Sequence, residues 1–188
     1  PPVPPGFWRG VNLNQNAIYL ECFIDEVAHA AKRDPLALRR ELLANSPKHL
    51  AVLNAVADKA GWAQRAALAK KGRHLGLAQI MGFGSYVAAC AEVSVSEEGA
   101  LKIHRIVAAT DCGHAVNPQQ IEAQVEGSFV YGLSAALFGA CTVKDGRIEQ
   151  ANFDTYRMLR LAEMPKVETV IVPSGGFWGG VEIGRAHV

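Results

Sequence analysis

The sequence predicts an α+β fold: an N-terminal helical module, then a mixed or antiparallel sheet with a helix packed on it. Three observations carry that expectation. Through residues 12–63 apolar side chains recur every three or four positions, the period of a helix face. From about residue 72 the pattern turns Gly-rich and then Val/Ile-rich with alternation, the period of strands. After Asn117-Pro118 a helical period returns.

The first helix is expected where Ala17, Leu20, Ile24, Val27, Ala28 and Ala31 follow at steps of three or four. Asp34-Pro35 ends it, because proline disfavours helical backbone in the residue before it. Asp34 then caps a second helix, with Pro35 in its first turn, that runs to Leu42-Leu43. Ser46-Pro47 repeats the arrangement for a third helix, with Leu50, Leu53, Val56, Ala57 and Ala60 on one face and Gly61 as its stop. Residues 64–73, rich in Ala and Lys, form a connector. Residues 86–95 read as a strand, Glu97-Glu98-Gly99 as a turn and residues 101–108 as the hairpin partner, with His104 facing outward. Asn117 caps a long helix carrying Ile121, Val125, Phe129 and Leu133 on one side. Gly127 and Gly132 inside it each cost roughly 1 kcal/mol against alanine. That expense implies close packing or the close approach of a ligand. A short strand at Thr142-Val143 meets a turn over residues 144–147, and a last β run covers residues 168–172.

Composition narrows the function classes. Of 188 residues, 49% are apolar and 20% charged, with 19 Lys+Arg against 18 Asp+Glu for a net charge of +1. This excludes a disordered polyelectrolyte and a strongly basic nucleic-acid binder. No apolar run approaches the roughly 18–20 residues of a membrane span, and no secretory signal pattern is visible. Charge is uneven: residues 1–75 carry +5 and residues 76–188 carry −4. Solvated faces account for this, or a basic face turned to an anionic partner or cofactor. Cys22, Cys90, Cys112 and Cys141 form no C-x-x-C pair, which argues against a zinc or cluster site. They suit buried thiols in a reduced compartment.

A series of short motifs then appears in order. They are Phe7-Trp8-Arg9-Gly10-Val11, Asp34-Pro35-Leu36, Ser85-Tyr86-Val87-Ala88 and Ala91-Glu92-Val93-Ser94-Val95, followed by Asp111-Cys112-Gly113-His114-Ala115-Val116-Asn117-Pro118. Gln124-Val125-Glu126-Gly127 and Asn152-Phe153-Asp154-Thr155-Tyr156 complete the series. Together they resemble the molybdopterin-binding large subunit of the xanthine dehydrogenase family, in the branch of isoquinoline 1-oxidoreductase beta subunits and related aldehyde dehydrogenases. The resemblance makes residues 1–181 part of a molybdenum-cofactor-binding domain.

The resemblance implies site residues one by one. The family's turn beside the molybdenum corresponds to Trp8-Arg9-Gly10, where Gly10 allows close approach and Arg9 offers a permanently charged fork to an anionic cofactor. Val11 stands where xanthine-type members carry a phenylalanine in the substrate pocket, which argues against a xanthine-like pocket. Gln124 matches a glutamine that contacts the cofactor, with Gly127 giving room beside it. The implied chemistry is hydroxylation of an aldehyde or N-heterocycle with water as oxygen source and a glutamate as general base. The implied cofactor is molybdopterin cytosine dinucleotide. The implied partner is a small subunit bearing [2Fe-2S] clusters, which no cysteine pattern here could hold. Localisation stays open between cytoplasm and periplasm. The alternative is a scaffold or subunit-contact domain that kept the fold without the cofactor.

The family continues Gly180-Val181 into Gly-Glu-Pro, which carries the base. Here Glu182-Ile183-Gly184-Arg185-Ala186-His187-Val188 follows instead. Those codons can be written GAG ATC GGA AGA GCA CAC GTC, which contains a widely used sequencing-adapter read. Residues 182–188 are therefore expected to be a non-native, adapter-derived tail, with a divergent native terminus as the alternative; the family glutamate is expected to be absent and the chain alone to be inactive.

Overall fold

The computed structural model describes Gly6 and residues 8–181. The tail at 182–188, the opening prolines and Phe7 lie outside the described residues. Helices α1 (Leu13–Ala30), α2 (Pro35–Leu42) and α3 (Pro47–Ala60) form the helical module, and a short α4 (Arg65–Ala69) follows a 3-10 turn at Trp62–Gln64. The sheet then begins with β1 (His74–Gly82), β2 (Ser85–Val95) and β3 (Leu101–Asp111). The long α5 (Pro118–Phe138) comes next, then a two-residue hairpin of β4 (Val143–Lys144) and β5 (Arg147–Ile148), and finally β6 (Lys166–Ile171). The main sheet has the order β1-β2-β3-β6. Its first two pairings are antiparallel and β3–β6 is parallel, so the sheet is mixed as expected.

The expected caps hold in two of three places. Asp34 Oδ1 accepts from the Ala37 amide at 2.8 Å and Asn117 Oδ1 from the Gln120 amide at 3.3 Å. Ser46 makes no side-chain cap; Pro47 alone presets the first turn of α3. Gly61 stops α3 in the left-handed region at φ 77°. The first helix ends before the expected Asp34-Pro35 boundary. Lys32 adopts φ 53°, and the Lys32 and Arg33 amides reach back to the His29 and Ala28 carbonyls. This is a Schellman ending with lysine where glycine is usual.

The sheet is covered on both faces. On one, α3 sets Val52, Leu53 and Val56, each with no exposure, against Ala88, Cys90, Val107 and Ala109. On the other, Phe129, Val125 and Leu133 of α5 pack on Ile106 and Ala108. The alternation of odd and even residues along β3 sends neighbours to opposite faces.

Helix α1 corrects the sequence reading. Its buried residues are Ala17, Glu21 and Ala28, while Leu20 and Val27 are exposed. The reason is that α1 lies along the free edge of β1. Glu21 Oε2 accepts from the Gln79 amide at 3.1 Å, and Arg39 Nη2 donates to the Leu77 carbonyl at 3.3 Å. A strand edge that would otherwise invite another chain is closed by side chains. Arg39 is 1% exposed. Its five N–H donors all find acceptors: Glu21 Oε2, Asp25 Oδ1 and the carbonyls of Pro35, Glu21 and Leu77. Burial pushes the Glu21 carboxyl above its ordinary range against the pull of Arg39. Among the described residues no helix is long and apolar enough to cross a membrane.

Candidate functional site

The topology gathers four chain ends at one end of the sheet. Gly82 pairs with Ser85, Tyr86 with Asp111 and Thr110 with Ile171. So the β1–β2 turn, the exit of β3 and the exit of β6 lie side by side, and α5 starts just beyond. The start of α1 joins them, because a Cβ on Gly82 would overlap the Leu13 side chain.

The turn before α1 places the first group of expected site residues. The Val11 amide donates to the Trp8 carbonyl at 2.9 Å. Gly10 is buried at φ 83°, a conformation glycine takes at no steric cost. Val11 follows at φ 55°, an outlier for a β-branched residue. Strain of this kind concentrates at ligand clamps and active sites. Val11 is 40% exposed, on the rim of the turn. Asn14 fastens the turn by donating from Nδ2 to the Arg9 carbonyl at 2.8 Å.

Arg9 projects onto α5. Its guanidinium carbon lies 3.9 Å from the centroid of the Tyr131 ring, a cation–π contact. No carboxylate among the described residues pairs with it. Gln124, Gly127 and Tyr131 fall within about 60° of arc on α5, at roughly 100° per residue. The face that bears Arg9 is thus the face that bears both expected α5 residues, with Gln124 about 10 Å along the axis from Tyr131. Gln124 is half-buried, not solvated as its polar type alone suggests. A Cβ on Gly127 would meet nothing within 4 Å. Packing within the chain therefore does not require glycine there.

Trp8 takes a different place. It borders a cleft of about 620 Å³ between α1 and α5, walled by Ala17, Ile18, Ala78, Gly132 and Ala135. The cleft exists because α5 covers β3 and β6 while β1 stays open on that face. The cleft does not reach Gln124 or Gly127. Sequence reasoning missed Tyr131, although its position seven residues after Gln124 puts it on the same helical face. It also missed the turn at Gly82-Phe83-Gly84 and the part played by residues 174–180.

The remaining candidates resolve plainly. Cys90 and Cys112 are buried, and Cys22 and Cys141 are exposed, so the expectation of buried thiols holds for two of four. Burial pushes the Cys90 thiol up to about 12, which makes it an inert group. His114 stacks on Trp178 with ring centroids 5.3 Å apart. His104 does not simply face outward; its Nε2 lies 2.8 Å from Ser94 Oγ across the hairpin. Much of the basic excess is spent internally, since Arg33, Arg39, Lys59, Arg65 and Arg73 all pair with carboxylates.

Residues 24–165 match the molybdopterin cofactor-binding domain family. The chain is 33% identical over 184 residues to the isoquinoline 1-oxidoreductase subunit beta of Brevundimonas diminuta, covering 97% of this chain and 24% of that protein. It is 30% identical to the membrane-bound aldehyde dehydrogenase (pyrroloquinoline-quinone) of Gluconacetobacter polyoxogenes, covering 90% of this chain and 24% of that protein. A solved Cu,Mo-CO dehydrogenase is similar at a TM-score of 0.44 and 26% identity, covering 47% of this chain and 11% of that one. The chain spans about a quarter of the length of these two curated relatives. The chain belongs to the molybdopterin cofactor-binding domain family.

Proposed function

We propose that the chain is the cofactor-facing part of a molybdenum hydroxylase large subunit. One observation carries this reading: Arg9 is stacked on the α5 face that holds Gln124 and Gly127, and the space over Gly127 is free of protein. The donor chemistry fits an anionic, flat group rich in heteroatoms. Arg9 supplies a fixed positive fork, Gln124 an amide that donates and accepts, and Gly127 a surface without projections. With Gly10 these residues would hold molybdopterin, in its cytosine dinucleotide form. When bound, that group supplies the redox chemistry for hydroxylating an aldehyde or N-heterocycle with water as oxygen source. The chain's own part is to bind and orient: Arg9 by charge, Gln124 by hydrogen bonds, Gly10 and Gly127 by giving room. Val11 borders the substrate side. The two substrate classes follow the names of the relatives. The resemblance puts a glutamate general base just past Val181. Electrons leave to [2Fe-2S] clusters on a small partner subunit.

The test uses a subunit of the relatives' full length, expressed with its iron–sulfur partner. It is expected to contain molybdenum and to reduce an artificial acceptor with isoquinoline-type heterocycles or aldehydes. Arg9→Ala and Gln124→Ala are expected to lower molybdenum occupancy. Unchanged occupancy in a well-folded double variant would instead make this domain a scaffold.

A further inference from the structure

The same end of the sheet holds a buried acid to which the proposed function gives no part. Asp111 closes β3 and is 1% exposed. Its Oδ1 accepts twice, from the Gly113 amide at 2.8 Å and from Ser174 Oγ at 2.9 Å. Its Oδ2 is buried without a partner among the described residues. The two donors belong to different stretches: Gly113 to the loop leaving β3, Ser174 to the Gly-rich stretch leaving β6.

That stretch is laid down by backbone contacts on both sides. The Val172 amide donates to the Thr110 carbonyl at 2.8 Å, Gly175 to Gly113 at 3.1 Å and Gly179 to Cys112 at 2.8 Å. Across from them the Gly180 amide donates to the Phe83 carbonyl at 3.3 Å, and Ser85 Oγ donates to the Gly180 carbonyl at 2.7 Å. The fit depends on missing side chains. Gly113 sits at φ 84°, and a Cβ there would overlap the Phe177 carbonyl oxygen; one on Gly179 would overlap Ser85 Oγ. Four of residues 174–180 are glycine, so the free stretch has wide conformational freedom and takes one path only if anchored at both ends.

We propose that Asp111 is a positioning residue. By bridging Gly113 and Ser174 through one oxygen, it fixes the path of residues 174–180 and hence the direction in which the chain leaves Val181. Its bearing on catalysis rests on the proposed function, since the general base belongs just past Val181. The bridge itself does not. A carboxylate or carboxamide oxygen can accept from two donors at once, and a methyl in that place accepts from neither.

Amide hydrogen exchange in this chain reads the anchor directly. Asp111→Ala is expected to speed exchange at Gly175 and Gly179 by roughly tenfold or more, with the Ala88 and Val107 amides unchanged. Asp111→Asn, which keeps an oxygen for both donors, is expected to stay within about twofold of the parent, and Ser174→Ala to fall between. Unchanged exchange at Gly175 and Gly179 in Asp111→Ala overturns the proposal. So does equal acceleration of the core amides, which marks general stability, or an Asn variant as damaged as the Ala variant, which marks charge. In the full-length, metal-loaded subunit, Asp111→Ala should lower kcat with KM and molybdenum content kept. Loss of molybdenum there would make Asp111 a cofactor ligand instead and overturn the positioning role. A full-length subunit without molybdenum overturns the cofactor reading and leaves the exchange result standing.

Discussion

The two faces of the sheet begin alike and finish differently. Both receive a helix at apolar spacing, and both bury small residues of β2 and β3. On the α3 face the closure is complete: Val52, Leu53 and Val56 have no exposure, and Trp62 seals the end. On the α5 face the helix covers only half of the sheet, and an apolar cleft remains over β1. Away from that cleft α1 exposes Tyr19, Leu20, Phe23 and Val27. The closed face is held by apolar packing of α3 on the sheet. The open face is where the proposed site lies, and its one wall is held by an ion network instead of by packing.

That contrast is broken most severely at Arg39, the seam between α1 and β1. Arg39→Ala leaves the Glu21 carboxylate buried without its cation and uncovers the β1 edge. Removing one partner of a buried pair costs about 3–5 kcal/mol, read as a shift in the urea midpoint. A loss below about 1 kcal/mol would mean that α1 is held by something other than this network. Leu53→Ala on the closed face is expected to lose about 2–5 kcal/mol, because α3 cannot collapse onto the flat sheet to fill the cavity. Arg39→Ala should also free α1 before the α3 face melts, visible as early exchange in residues 13–30 alone. A single transition for both would make the two faces one cooperative unit.

The closed face was legible in the sequence because each local rule agreed with the packing. Leu53, Val56, Ala57 and Ala60 fall at helical spacing, Gly61 takes the left-handed stop, and Asp34 caps α2 as its type suggests. The open side was not legible for a physical reason. Strand β1 reads His74-Leu75-Gly76-Leu77-Ala78-Gln79-Ile80-Met81-Gly82, with one β-branched residue, and it is a strand through pairing with β2 rather than by propensity. Helix α1 buries a glutamate because a carboxylate, not a leucine, can satisfy an edge amide. The candidate site was half legible. Motif order names Trp8, Arg9, Gly10, Gln124 and Gly127 as candidates, but only the fold brings Arg9 to Tyr131 and joins Asp111 to Ser174.

A smaller effect separates the two buried glutamates. Glu92 lies on the rim of the α3 face, between Arg73 and Arg105 at 2.7 and 3.1 Å. Burial works to raise its carboxyl, but the hydrogen bonds of the two arginines outweigh that and hold it below its ordinary 4.5. The unfolded chain then binds the proton more readily, so this stabilisation is present above pH 4.5 and is lost as pH falls through the folded value. Glu21 runs the other way. Its carboxyl is raised by burial, so its contribution is full below 4.5 and fades as pH rises through the folded value. Glu92→Gln should therefore destabilise at neutral pH, with the gap to the parent closing in acid. A gap of the same size at both ends of the titration would remove the arginines as its cause.

The smallest expected effect is the sharpest on the comparison itself. Ala136 lines the cleft and is exposed, whereas Ala109 faces α3 with no exposure. Enlarging each to leucine adds the same three carbons to an apolar site. Ala109→Leu must push α3 off the sheet and should lose about 1–3 kcal/mol. Ala136→Leu has room and a good helix former's propensity, so its effect should stay within about 0.5 kcal/mol. The measurement is the pair of urea midpoints. If both variants lose equally, the space between α1 and α5 is closed in solution and the two faces are finished alike. If Ala136→Leu is neutral in this chain but destabilising in a subunit of the relatives' full length, the cleft is the seat of residues from elsewhere in that subunit.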